Sequence, residues 1–148
     1  MSTQLVEDAW TEVKSILTND TTLKTYIKNV YEGYRQIPHQ AFPCIILEPV
    51  SEPEEVAMHR RHIDFEITIY ALIMVYNADK QIIGDANIKG IVDLVRDIKN
   101  ALCKYQSLNG KCISHKFPST EYTFESYPIR QAEISMVIEL ITATETGR

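Results

Sequence analysis

His59-Arg60-Arg61-His62 brings two imidazoles three residues apart, the densest grouping of chemically capable side chains in the chain. On a helix that spacing would put both rings on one face, as a metal site requires. Here the four residues open an alternating run, HRRHIDFEITIYALIMVY (59–76), so the rings point to opposite sides of a strand entry. The arginines between them would also repel a cation. A small enzyme built here would use His59, His62, Asp64 and Glu66, but no nucleophile stands at a telling distance from them. Glu48, Glu52, Glu54 and Glu55 lack the glycine and alternating spacing of a calcium loop. The three cysteines, Cys44, Cys103 and Cys112, are odd in number and show no metal-type spacing. They read as reduced thiols, with Cys103 and Cys112 serving as small buried hydrophobes. No G-x-S-x-G, H-E-x-x-H, G-x-x-x-x-G-K-[ST] or G-x-G-x-x-G occurs, and five scattered glycines make no phosphate cradle. The expectation is a protein without catalytic residues, metal or cofactor.

Bulk composition agrees with a single globular domain: 148 residues, 45% hydrophobic and 24% charged. A formal net charge of -5 disfavours a dedicated nucleic-acid binder or a polybasic membrane module. Arg60 with Arg61, and Lys104, Lys111, His115 and Lys116, read as solvated basic surface, since no aromatics are interleaved with them in a reading motif. The start, MSTQLVEDAW, has no signal-peptide pattern, and Asp64 and Glu66 interrupt the longest apolar run well short of a membrane span.

The elements that would position these groups follow from periodicity. Val6, Ala9, Trp10, Val13, Ile16 and Leu17 form a helical stripe over 3–17, with Ser2 or Thr3 as cap. Asp20 caps a short second helix in which Leu23, Tyr26, Ile27 and Val30 share a face. FPCIILEPV (42–50) is a proline-bounded strand of edge character or brief pairing. SEPEEVAMHRR is a charged connector and a candidate projecting loop. A long strand over about 60–76 follows, buried on one side through Ile63, Phe65, Ile67, Ile69, Ala71, Ile73 and Val75. Its other side begins polar, with His62, Asp64, Glu66 and Thr68, and ends apolar, with Tyr70, Leu72, Met74 and Tyr76. Ile88, Ile91, Val92, Val95, Ile98 and Leu102 mark a second long helix, capped by Asp85 or Asn87. After the turn at 108–110 come strands at 111–117, 120–130 and 130–142, and the closing ATETGR is expected to fray. The last strand sets Ala132, Ile134, Met136, Ile138 and Leu140 on one face and resembles the long central strand in length and gradient. The two are natural antiparallel neighbours. This order predicts an α+β domain, a mainly antiparallel sheet with helices on one face.

Read in order, the chain resembles the tail terminator (tail-completion, head–tail joining) proteins of long-tailed bacteriophages. The resemblance runs through LVEDAWTEVKSILTNDTTLKTYIKNVYEG, IPHQAFPCIILEPVSEP, IDFEITIYALIMVY, IKGIVDLVRDIKNAL and RQAEISMVIEL, and so covers nearly the whole sequence. It implies a structural virion protein of the tail and neck region, assembled in the host cytoplasm. Copies would form a hexameric ring that caps the tail tube, stops its polymerisation and offers a docking surface to the neck or head-closure protein. DNA would pass through the bore without sequence-specific binding, and no membrane is involved. The family has no catalytic residues to carry over. In a ring each copy needs two unlike patches. Tyr70, Leu72, Met74 and Tyr76, with Val137 and Ile141 beside them, are the candidates for one, unless the second long helix covers that end of the sheet. Glu52, Glu54, Glu55, Met58, Arg60 and Arg61 mark the loop that would reach the tube or neck. Two alternatives stand beside this reading. One is a neck or head-closure connector. The other is a small cytosolic enzyme or a ligand-binding module whose pocket, between helix and sheet, would be lined by Tyr122, Phe124 and Tyr127.

Overall fold

The structure, a computed structural model, describes residues 2–143, without the side chains at positions 2, 3, 125 and 143. Chain order is α1 (Ser2–Asn19), α2 (Thr21–Lys24), β1 (Asn29–Glu32), β2 (Cys44–Ser51), β3 (Glu54–Ala57), β4 (Arg60–Met74), α3 (Ile91–Cys103), β5 (Ser114–Lys116), β6 (Thr120–Ser126) and β7 (Ile129–Ala143). Short 3₁₀ turns stand at His39–Ala41 and Ala78–Lys80. The fold is α+β, a mostly antiparallel mixed sheet with its helices on one face.

Alternation builds the centre of the sheet. β4 and β7 pair antiparallel over their full lengths, from Arg60 opposite Ala143 to Met74 opposite Ile129. Ile63, Phe65, Ile67, Ile69 and Ala71 therefore meet Leu140, Ile138, Met136, Ile134 and Ala132 on one face, all buried. The α1 stripe, through Ala9, Val13, Ile16 and Leu17, and the α3 stripe, through Ile91, Leu94, Val95, Ile98 and Leu102, close over that face. Each such aliphatic side chain contributes about 1.5–3 kcal/mol by leaving water, which makes this the dominant core.

Each long strand is flanked by two short ones laid end to end. β2 and then β3 run along the outer side of β4, while β6 and β5 share the outer side of β7. The 51–58 segment is therefore not a loop. It continues β2 past a bulge at Pro49/Ser51, with Asp64 N–H donating to Pro53 O at 2.9 Å, and ends in a hairpin. Met58 and His59, at φ 52° and 67°, supply the two left-handed positions that a tight hairpin turn demands.

β2 is likewise interior, with β1 on one side and β4 on the other. Its prolines are tolerated because Pro43 precedes the strand and Pro49 adjoins the bulge. The second helix stops at Lys24, with Asp20 as its N-cap as expected. Val30 lies in β1, because a chain rich in β-branched and aromatic residues gains a full backbone partner by pairing parallel with β2. α3 also begins later than its apolar stripe, and Ile88 lies outside it. Asp85 accepts from the Asn87 and Ile88 N–H groups in a turn before the helix, whereas the Asp93 carboxylate satisfies the Gly90 and Gly84 N–H groups at 2.9 and 2.7 Å. A Cβ on Gly90 would sit 2.3 Å from Ile82 O, so that crossing requires glycine. In the closing ATETGR, residues 144–148 lie outside the described residues. The caps expected of Ser2 or Thr3 concern side chains outside them too.

Candidate functional site

The parallel pair β1–β2 decides what covers the second face of the sheet. Parallel neighbours need the chain to return to its starting end between them. Residues 33–43 make that return across the face opposite the helices, as a strap carrying Tyr34, Ile37 and Phe42. Beneath it Phe42, Cys44, Ile46 and Leu72 form a second buried cluster, with Tyr31, Ile37, Tyr70, Met74 and Ile129 at its margin. Tyr34 meets Tyr70 edge-on at 4.6 Å between ring centroids, and its hydroxyl donates to Gln131 Oε1 at 2.8 Å. Burial, reinforced by Glu133 and Glu48, holds the Tyr70 hydroxyl pKa above its usual range. Burial also pushes the Cys44 thiol up to about 12, which leaves it unreactive near neutrality.

The residues expected at a subunit interface are thus divided. Leu72 is only 4% exposed beneath the strap, Tyr70 and Met74 are half-buried at its margin, and Tyr76, beyond the strand end, is 62% exposed. Neither a helix nor a second copy is needed to cover Leu72. Val137 and Ile141 do not lie beside these residues. They stand opposite Glu66 and His62, at the far end. Two strands with the same polar-to-apolar gradient, once paired antiparallel, set the apolar end of one against the polar end of the other.

That far end holds a polar grouping built on His62, Asp64 and Glu139. Asp64 faces Glu139 across the ladder, and His62 Nε2 stands 3.3 Å from Asp64 Oδ1 and 3.0 Å from Glu139 Oε2. These are ion-pair distances, though the approach is off the hydrogen-bonding direction. Ser114 donates to Glu139, and Ser51 donates to Glu66 at 2.9 Å. His59 occupies the hairpin turn, so the two imidazoles of the 59–62 group are not brought together at a site. Neither ring nitrogen of His62 bonds a hydroxyl or thiol among the described residues, and no group of three His, Cys, Asp or Glu there is placed to hold a metal ion.

The hairpin expected to reach a partner carries Glu52, Glu54, Glu55, Met58 and Arg60, all exposed, with Met58 92% exposed at its tip. Arg61, half-buried, is paired with Glu54. Glu48 lies apart from the other acids, accepting the Tyr34 N–H at 2.7 Å. Cys103, expected to be buried, is exposed, because it follows the inward-facing Leu102 by one helical step. Cys112 is half-buried, and burial raises its thiol to about 11, with Glu139 adding to the effect.

The ligand-binding alternative would need Tyr122, Phe124 and Tyr127 to line a pocket between helix and sheet. They are instead 51%, 54% and 55% exposed, on β6 and the turn that follows it. Arg130 lies over the Phe124 ring at 4.6 Å, Tyr127 meets Tyr76 edge-on at 6.3 Å, and its hydroxyl donates to Tyr76 O. Ile82 and Ile83 are exposed nearby, since their neighbour Gln81 accepts from Arg130. The signal was present in the alternation of Tyr122 and Phe124, which no apolar stripe elsewhere in the sequence was left over to cover. A groove of about 410 Å³ does exist, but on the strap face, lined by Arg35, Ile37, His39, Leu72, Ile129 and Gln131. No protein-family model matches the chain, and no curated protein matches it by sequence.

Proposed function

We propose that the protein is a structural assembly subunit of the tail-terminator kind, without catalysis, whose copies close into a hexameric ring at the end of a phage tail tube. The observation that carries this reading is the pair of sheet edges. β1 and the β5/β6 file lie at opposite sides of one sheet, and among the described residues neither has a further strand beside it. Monomeric proteins usually blunt such edges, whereas rings and filaments use them. In this reading the β3–β4 hairpin, with Met58 at its tip, reaches the tube or the neck protein, and an acidic ring lets DNA slide through its bore without sticking.

Native mass spectrometry across protein and salt concentration tests the proposal. The expected result is a discrete hexamer, formed either by the protein alone or on addition of tail tubes. A strictly monomeric species under both conditions would overturn it.

A further inference from the structure

The two edges of the sheet are unlike, and they match. On β6, Ser135 N–H donates to Ser119 O at 2.9 Å, which makes 119–135 a hydrogen-bonded rung of the antiparallel ladder with β7. By the alternation of such ladders, the backbone N–H and C=O groups of Tyr122 and Phe124 point away from β7, into the open. Their side chains share a face with Ala132 and Arg130, the face on which the helices lie. Glu121, between them and Thr120 in sequence, alternates onto the opposite face, across from Glu133.

At the opposite edge, Val30 of β1 shares a face with Ile45, again the helix face. Against it lies a groove of about 290 Å³ between α1, α2 and β1, lined by Lys14, Leu17, Lys24, Ile27, Lys28 and Val30. Lys14 is committed to Glu32, but Lys24 and Lys28 have no ion pair among the described residues.

Strand direction completes the match. β1 runs with β2, β2 against β4, β4 against β7 and β7 against β6, so β6 runs opposite to β1. A sheet continued from one copy into the next would join these edges antiparallel, with both helix layers on the same side. We infer that successive copies join by strand addition, β6 of one copy pairing antiparallel with β1 of the next and carrying Tyr122 and Phe124 into the lysine-lined groove. This deepens the ring reading above and rests on it. The occupant is a second copy of this chain because one molecule carries both halves: the aromatic faces of Tyr122 and Phe124 on one edge, lysine ammonium groups over an apolar floor on the other. The contact is heterologous, so each copy added leaves one edge of each kind for the next.

Two double variants test this, each compared with wild type by native mass spectrometry and by circular dichroism to verify folding. Tyr122→Ser/Phe124→Ser blocks one edge, and Lys24→Glu/Lys28→Glu blocks the other. All four positions are exposed, so the fold should hold. Each variant alone should fall to the monomer mass, and an equimolar mixture should give a one-to-one dimer and nothing larger, since only one sound pair of edges remains. If either variant keeps the wild-type oligomer, the edge contact is wrong while the ring reading stands. A mixture that stays monomeric shows that the two edges are not mates. Wild type that never assembles, with or without tail tubes, overturns both.

Discussion

The two faces of β4 bury comparable apolar side chains under different kinds of cover. On one face Ile63 through Ile73 lie beneath two regular helices whose own stripes repeat at helical spacing. On the other, Leu72 lies beneath an irregular strap that exists because β1 and β2 are parallel. One cover is a matter of composition and period, the other of topology. The difference bears on function, because it turns Leu72, one part of an apparent adhesive surface, into internal core, while exposed aromatics stand at the sheet edge.

Ile69→Ala, at full burial between the helices and β7, should cost about 2–5 kcal/mol in denaturant unfolding, since close-packed helices settle poorly into the space left behind. Leu72→Ala should cost less, about 2–3 kcal/mol, because an irregular strap can settle. Its signature should be local: amides of residues 34–42 lose hydrogen-exchange protection while those of α3 keep theirs. Equal loss of protection in both would mean that the two covers form one cooperative unit.

The smallest effect is in pH. His115 is 5% exposed on the helix face of β5, with Nδ1 3.0 Å from Gln106 O and Phe117 edge-on to its ring. Burial holds its pKa below the ordinary 6.5, although the Gln106 carbonyl opposes the shift. The unfolded chain therefore takes up this proton first. Stability from the neutral ring is complete above pH 6.5 and is lost as pH falls below it. Glu139, its neighbour along β7, already pairs with His62 and Ser114 on the opposite face. His115→Gln should flatten that part of the pH profile, and a profile unchanged by the substitution would remove His115 as its source.

Periodicity made α1, α3, β4 and β7 legible, along with the whole helix-face core, because a stripe or an alternation repeated over several turns reports which side chains share a face. It does not report what lies over that face. β1 is four residues long, too short for a period to show, and its Val30 fits the helical spacing of the segment before it. Without β1 the parallel crossover was invisible, and with it the cover over Leu72. Pairing register is a separate unknown: a similar gradient predicts Val137 and Ile141 next to Tyr70 and Leu72, and antiparallel pairing sends them to the other end. The aromatic edge is hidden for a third reason: alternation reports that Tyr122 and Phe124 share a face, and only a count of the remaining apolar stripes shows that none is left to cover them.

The long pairing of β4 with β7 has a mechanical consequence. Its fifteen residue pairs run without a register shift from Arg60–Ala143 to Met74–Ile129, with hydrogen bonds perpendicular to the strands. Tension along the strand axis loads all of these bonds in shear at once, whereas tension across the sheet peels them open one rung at a time. The molecule is therefore stiff in one direction and weak in the other, and a load-bearing subunit of this shape holds best when the pull lies along β4.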